Sequence, residues 1–223
     1  MSELMVEAKR GIAMNERNVP RVMDGTKTQT RRIESILRSV DDLHDYCDKL
    51  RDGDCLWFFR LSHSITTENT SATGYDDVYP NHQPGDVLYV KEALQRYEDV
   101  FGLPSAKYKT DGEFVVPSDI AETRRLWQSD DGKPWKNSVI PARYMPRSAA
   151  RTFIEITDVR CERVQDISGS DCYHEGIDLG HLEGRMGSSD MRRMDFKKLW
   201  SETNGADAWE RNDWVFAYTF KVL

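Results

Sequence analysis

Gly25-Thr26-Lys27-Thr28-Gln29-Thr30-Arg31-Arg32 is the stretch around which the rest of the chain is organised. It holds an amine, three hydroxyls and two guanidinium groups, and no large apolar side chain. Burying two arginines and a lysine without partners costs more than folding can recover. The stretch is therefore expected at a surface or in a cleft, between the apolar run at 19–23 and Ile33. Lys27 and Thr30 are three residues apart, so they face opposite sides on a regular strand and converge in a turn or helical bend. A hydroxyl beside a neutral lysine amine is one way to make a nucleophile, the amine taking the proton. The same residues also suit a basic surface loop.

Composition narrows what can be built around this stretch. A chain of 223 residues, 39% hydrophobic and 31% charged, is long enough to bury a core beneath a polar surface. No run approaches eighteen consecutive apolar residues, and residues 1–10 lack the apolar centre of a signal peptide, so the expectation is a cytoplasmic protein with no membrane partner. Cys47, Cys55, Cys161 and Cys172 are scattered and read as reduced thiols. His44-x-x-Cys47 with Cys55, and Cys172-x-His174, come nearest to ligand pairs, but no second close pair completes a four-ligand spacing. Neither a metal nor a cofactor is expected. The net charge of -7 argues against a general nucleic-acid coat protein. Yet residues 21–38 carry Arg21, Lys27, Arg31, Arg32 and Arg38 against Asp24 and Glu34, and residues 141–151 carry Arg143, Arg147 and Arg151 with no acid. Brought together, the two segments make a cationic cleft suited to a phosphate-bearing ligand.

Along the chain, strands are expected at 11–14, 56–61, 87–90, 152–157 continued by 159–164, and 214–220. A short helix is expected over 15–24, capped by Asn15 or beginning only at Pro20, with Gly25 at its end. Helical spacing of Ile36, Leu37, Val40, Leu43, Tyr46, Cys47 and Leu50 predicts a helix over 36–50. Residues 62–83, rich in Ser, Thr, Asn and Asp, predict a long loop. A hairpin is expected about Asp111-Gly112, and capped helices over 118–128 and over 168–175 with Gly176 as the stop. Residues 178–190 read as loose, and 191–203 as an amphipathic helix. Trp57, Trp200 and Trp214 are expected to pack in the core. Strands separated by irregular excursions, without βαβ alternation, predict an α+β protein: a small mixed or antiparallel β-barrel with peripheral helices and insertions.

Several of these pieces resemble, in order, the ASCH domain, whose fold is PUA-like, and most closely the longer ASCH-like proteins common in bacteriophage genomes. The residues that carry the resemblance are Val22-Met23-Asp24 running into the central stretch, then Pro84-Gly85-Asp86-Val87-Leu88-Tyr89-Val90-Lys91-Glu92. Further on come Tyr144-Met145-Pro146-Arg147, Glu155-Ile156-Thr157-Asp158-Val159, Val164-Gln165-Asp166-Ile167, Glu175-Gly176-Ile177, the run from Phe196 to Trp200, and the last strand. The resemblance implies a single PUA-like domain over 1–223 with insertions near 36–83, 95–138 and 178–190. It implies an RNA-binding fold. Small members that share the Gly-x-Lys-x-x-Thr run are amidohydrolases, which remove acyl groups from N4-acylated cytidine with a lysine, a threonine and a glutamate. Lys27, Thr30 and Glu175 match these three. On that reading Thr30 is the nucleophile, Lys27 its base, and Glu175 orients Lys27 or protonates the leaving nitrogen. Arg31 and Arg32 lower the lysine pKa or hold an oxyanion or phosphate. Arg147 is a candidate phosphate clamp, and Glu92, ending a strand, competes with Glu175 as the site carboxylate. Ser148 stands where relatives carry an aromatic and Leu94 where a tryptophan often stands, and both changes remove stacking surface for a base. The implied partner is a modified nucleoside or RNA, in a bacterial host cytoplasm if the chain is phage-encoded. A non-catalytic RNA-binding or regulatory module is the alternative, and a ribonuclease the third, weakened by the lack of a clear His pair.

Overall fold

The apolar runs at both ends of the chain and in its middle become strands, and these carry the rest. A computed structural model describes residues 8–39, 43–51, 57–67, 70–98, 104–115, 139–180 and 187–223. The chain divides into two compact units, one of Met1–Thr26, Asp86–Glu155 and Lys221–Leu223, the other of Lys27–Gly85 and Ile156–Phe220. With antiparallel sheets and four α-helices among the described residues, the fold is α+β.

In the first unit β1 (Arg10–Ala13) runs parallel to β6 (Val87–Lys91), which pairs antiparallel with the start of β11 (Phe153–Arg163). Gly11 lies opposite Tyr89, and a Cβ there would meet Tyr89 Cζ and Lys91 Cε at 2.6 Å, so the position needs glycine. Helix α1 (Val19–Met23) carries Pro20 in its first turn, where the missing N–H costs nothing. The Asn15 side chain accepts from the Asn18 N–H at 2.9 Å just ahead of it. A second sheet has the order β10–β7–β8–β9, from β7 (Leu94–Glu98), β8 (Pro104–Tyr108), β9 (Phe114–Val115) and β10 (Val139–Ile140). The expected hairpin is present, turning through Asp111 and Gly112, the latter at φ +77°. Strand alternation sends Leu94, Ala106, Tyr108, Val115 and Ile140 to one face, where Met145 and Ala149 complete a core.

In the second unit β2 (Gln29–Arg32) pairs antiparallel with β12 (Trp214–Val222), which also neighbours β11. Helices α2 (Gly169–His174), α3 (Ser188–Asn204) and α4 (Ala208–Arg211) pack on this framework. Their core includes Ile167, Cys172, Ile177, Phe196, Trp200 and Val215. Trp200 and Trp214 are buried as expected.

Two expectations are corrected in this unit. The residues expected as a helix over 36–50 form a 3-10 turn, Ser35–Ser39, and strand β3 (Leu43–Arg51). Of the residues expected as a loop over 62–83, 79–83 are loop, while those at 62–67 instead extend β4 (Trp57–Thr67) and those at 70–78 form β5 (Thr70–Val78). Together they make an antiparallel β3–β4–β5 sheet, in which Leu50 lies opposite Phe58 and Thr67 opposite Thr70. The aromatic run of β4 supplies a ladder on both edges, and pairing with it overrides a local helical spacing. Threonine-rich segments suit such a ribbon because a β-branched side chain favours extended backbone. The helix expected over 118–128 lies outside the described residues, as do residues 181–186 of the segment expected to be loose over 178–190, whose last three residues instead begin α3.

Candidate functional site

From Lys27 onward the central stretch and its partners lie in the second unit. β12 holds β2 with Thr30 opposite Tyr218 and Arg32 opposite Phe216. Just ahead of the strand, the Thr28 N–H donates to the His174 carbonyl and the Thr28 carbonyl accepts from the Phe220 N–H, both at 2.9 Å. The Thr28 hydroxyl lies 3.0 Å from His174 Nδ1. These bonds tie the stretch to α2, whose own start is fixed by a capping box. The Ser168 hydroxyl accepts from the Asp171 N–H, and the Asp171 carboxylate reaches back to the Ser168 N–H. The helix ends at Glu175, and Gly176 turns the chain out at φ +89°, where a Cβ would be strained.

Where β2 meets α2, charge is packed densely. Lys27 Nζ donates to Glu175 Oε2 at 2.5 Å and to the Glu175 carbonyl at 2.8 Å. Arg31 Nη1 donates to Glu175 Oε1 at 3.1 Å and its Nε to Glu162 Oε1 at 2.8 Å, while Nη2 lies 3.7 Å from Asp171 Oδ2. Arg160 caps the cluster from the rim, donating to Asp171 Oδ1 at 3.1 Å. Lys27 is 1% exposed, Thr30 4%, Arg31 5% and Glu175 6%. The expectation of a surface or cleft position is corrected here for Lys27, Gln29, Thr30 and Arg31, which are buried, while Gly25 and Thr26 stay exposed. The physical premise survives: the cations are buried because carboxylates 131 to 148 positions further on are buried against them.

Burial holds the Lys27 amine below its ordinary lysine value; Glu175 pulls it back up, and Arg32 and Arg31 push it down again. For Arg31 burial acts against the charge, but Glu175 and Glu162 outweigh it and raise its pKa. The two faces of β2 differ. Gln29 and Arg31 take one, while Thr30 and Arg32 take the other beside their cross-strand partners Tyr218 and Phe216. There the Tyr218 hydroxyl donates to Glu34 Oε1, and Glu34 Oε2 accepts from the Asn81 N–H at 3.0 Å. Burial raises the pKa of both Glu34 and Tyr218. Lys27, Arg31 and Glu175 thus meet, and Arg32 lies within electrostatic reach of Glu175 and Glu34. Thr30 is buried on the same strand, on the face opposite Arg31.

Glu92 and Arg147 belong to the first unit. Both Glu92 oxygens are taken by Arg151, at 2.9 Å from Nε and 2.7 Å from Nη2, and the side chain is fully buried. Arg151 also meets Asp111 at 2.6 Å and Glu113 at 2.9 Å, and lies 3.8 Å over the Tyr108 ring. Glu92 is thereby the anchor of an arginine. Arg147 is half-buried beside Tyr89, whose pKa burial raises and Arg147 lowers.

Sequence reasoning missed Glu162, Asp171, Glu34 and Tyr218. Asp171 had a signal, since Ser168-x-x-Asp171 spells a capping box. The others had none, because a buried pair far apart in sequence leaves no local pattern. Burial pushes the Cys172 thiol up to about 12, which removes it as a nucleophile. Among the described residues no group of three or more His, Cys, Asp or Glu is placed to hold a metal ion, and no helix is long and apolar enough to cross a membrane.

Comparison adds nothing to this geometry. No family model matches the chain, and neither a curated protein nor a solved structure matches it.

Proposed function

We propose that the chain is a PUA-like β-barrel protein that hydrolyses the amide of an N4-acylated cytidine or a related modified nucleoside in the cytoplasm. The observation that carries the reading is the Lys27–Glu175 pair, two residues matched on resemblance alone that prove to be bonded at 2.5 Å in a buried site. In the proposed reaction Thr30 Oγ1 bonds to the acyl carbonyl carbon while Lys27, neutral, takes the hydroxyl proton. Arg32, on the face of β2 that carries Thr30, stabilises the oxyanion. The carbon–nitrogen bond then breaks, the proton passes to the leaving exocyclic nitrogen, and water hydrolyses the acyl-threonine ester. Burial supports the role of Lys27, because it shifts the amine toward the neutral form that a base requires. The closed state of the cluster adds a demand: the acyl group reaches Lys27 and Thr30 only if the covering side chains part.

That same closure favours a second reading, a non-catalytic RNA-binding or regulatory module in which the cluster only braces β2 against α2. Turnover and binding measured side by side separate the two. Thr30→Ala is expected to abolish release of cytidine while keeping affinity within a few-fold, since the hydroxyl acts in the transition state. Wild-type protein that binds the acylated nucleoside and releases nothing over hours points to the module.

A further inference from the structure

Several basic side chains here are matched. Arg60, Lys109, Arg151, Arg160, Lys197 and Arg211 each lie against a carboxylate, as expected in a chain with 38 acidic and 31 basic residues. Lys91, Arg143 and Arg147 are among those that are not matched. Among the described residues none of the three has a carboxylate at ion-pair distance. They are nevertheless held together in the first unit. Lys91 Nζ donates to the Arg143 carbonyl at 3.2 Å and sits 5.5 Å from the Tyr89 ring centre. The Arg143 guanidinium lies 4.8 Å over the ring of Tyr144, itself 36% exposed. Arg147 follows one 3-10 turn later, and its charge reaches the Tyr89 phenol. Gly11 lets Tyr89 and Lys91 pack closely against the backbone, since any side chain there would strike both. Arg151, which belongs to the same basic segment, is not available to this group, since Glu92, Asp111 and Glu113 surround it.

Three like charges gathered on an acidic body without a counter-charge repel one another, and an anion relieves that repulsion. Guanidinium groups match the oxygens of a phosphate in pairs, and a lysine adds a point charge. The exposed ring of Tyr144 beside Arg143 supplies a surface on which a base can stack. We propose that Lys91, Arg143 and Arg147, gathered about Tyr89 and Tyr144, bind the phosphate group of a nucleotide, free or within a single strand. The site stands on its own residues and is independent of the chemistry proposed at Lys27.

The test uses the full chain and a fluorescein-labelled single-stranded oligocytidine RNA, titrated at several salt concentrations. Binding is expected to weaken with salt, and replacing each cation by glutamine to reduce the log–log slope by about 0.7. Lys197→Gln, which removes one positive charge from the second unit, is expected to leave both affinity and slope unchanged. Arg143→Gln alone carries the test should the Lys91 or Arg147 variant fail to fold, because this side chain is exposed. Cytidine 5′-monophosphate and unlabelled oligomer are then compared with cytidine as competitors. Displacement by the monophosphate assigns a free nucleotide, and displacement by the oligomer alone assigns a strand. Wild-type protein that does not bind, Arg143→Gln with the wild-type slope, or cytidine competing as well as its monophosphate overturns the proposal.

Discussion

A lysine 1% exposed persists in a protein core because Glu175 accepts from it twice, and Glu175 in turn is held by Arg31. Removing one member of such a cluster strands the others. Glu175→Leu is expected to cost about 3–5 kcal/mol in urea unfolding, the range for breaking a buried pair. The double variant Lys27→Met, Glu175→Leu should cost less than the sum of the single changes, since no lysine is left unmatched. The same residues set how stability depends on pH. The folded Lys27 pKa lies below the value of 10.5 that the unfolded chain restores. Between those two values the unfolded chain holds the proton and the folded one does not, so Lys27 makes stability rise with pH across that window. Lys27→Met should flatten this alkaline rise in the urea midpoint. Asp171 acts at the other end. Burial opposes its ionisation, but the Ser168 hydroxyl, Arg160 and Arg31 outweigh burial and hold it below 3.8. Its contribution is complete above 3.8 and is lost as pH falls through the folded value, so Asp171→Asn should blunt the acid loss of stability.

At the level of elements, α2 positions Glu175, and two of its features can be tested. Ser168→Ala removes the cap and is expected to cost about 1 kcal/mol. Gly169→Ala places a Cβ 2.8 Å from the Ser189 Cα of α3, and such overpacking costs about 1–3 kcal/mol. Thermal unfolding checks both. This helix was legible in the sequence because its signals are local: Ser168 starts it and Gly176 stops it. The hairpin at Asp111-Gly112 and the apolar strands were legible for the same reason. β3 was not. Its apolar residues satisfy helical spacing, and what makes them a strand is the neighbouring β4, which no local window contains. β5 was hidden by its polar composition, since polar extended backbone and loop look alike until a ladder pairs them. At the site, the resemblance singled out Lys27 and Glu175, but the need for Glu162 and Asp171 follows only from burial. A surface reading of Arg31 asked for no partners, whereas a core reading demands them.

Over the whole molecule, the chain leaves and re-enters each compact unit, so neither is a single continuous segment. The last strand matters most to the second unit, where β12 pairs with β2 and buries Val215, Phe216, Ala217 and Tyr218. A chain ending at residue 213 is expected to lose its cooperative unfolding transition by circular dichroism, and an unchanged midpoint would count against that role for β12. The net charge of -7 bears on function at this scale as well, since it repels a polyanion everywhere except where cations cluster. A small ligand escapes that repulsion, in keeping with a modified nucleoside at the buried Lys27 cluster. The most direct test of that cluster is to incubate the protein with N4-acetylcytidine and follow cytidine by chromatography. Release by the wild type, lost in both Lys27→Met and Thr30→Ala at unchanged fold, is the predicted result; no cytidine from the wild type, or release by either variant at the wild-type rate, would contradict it.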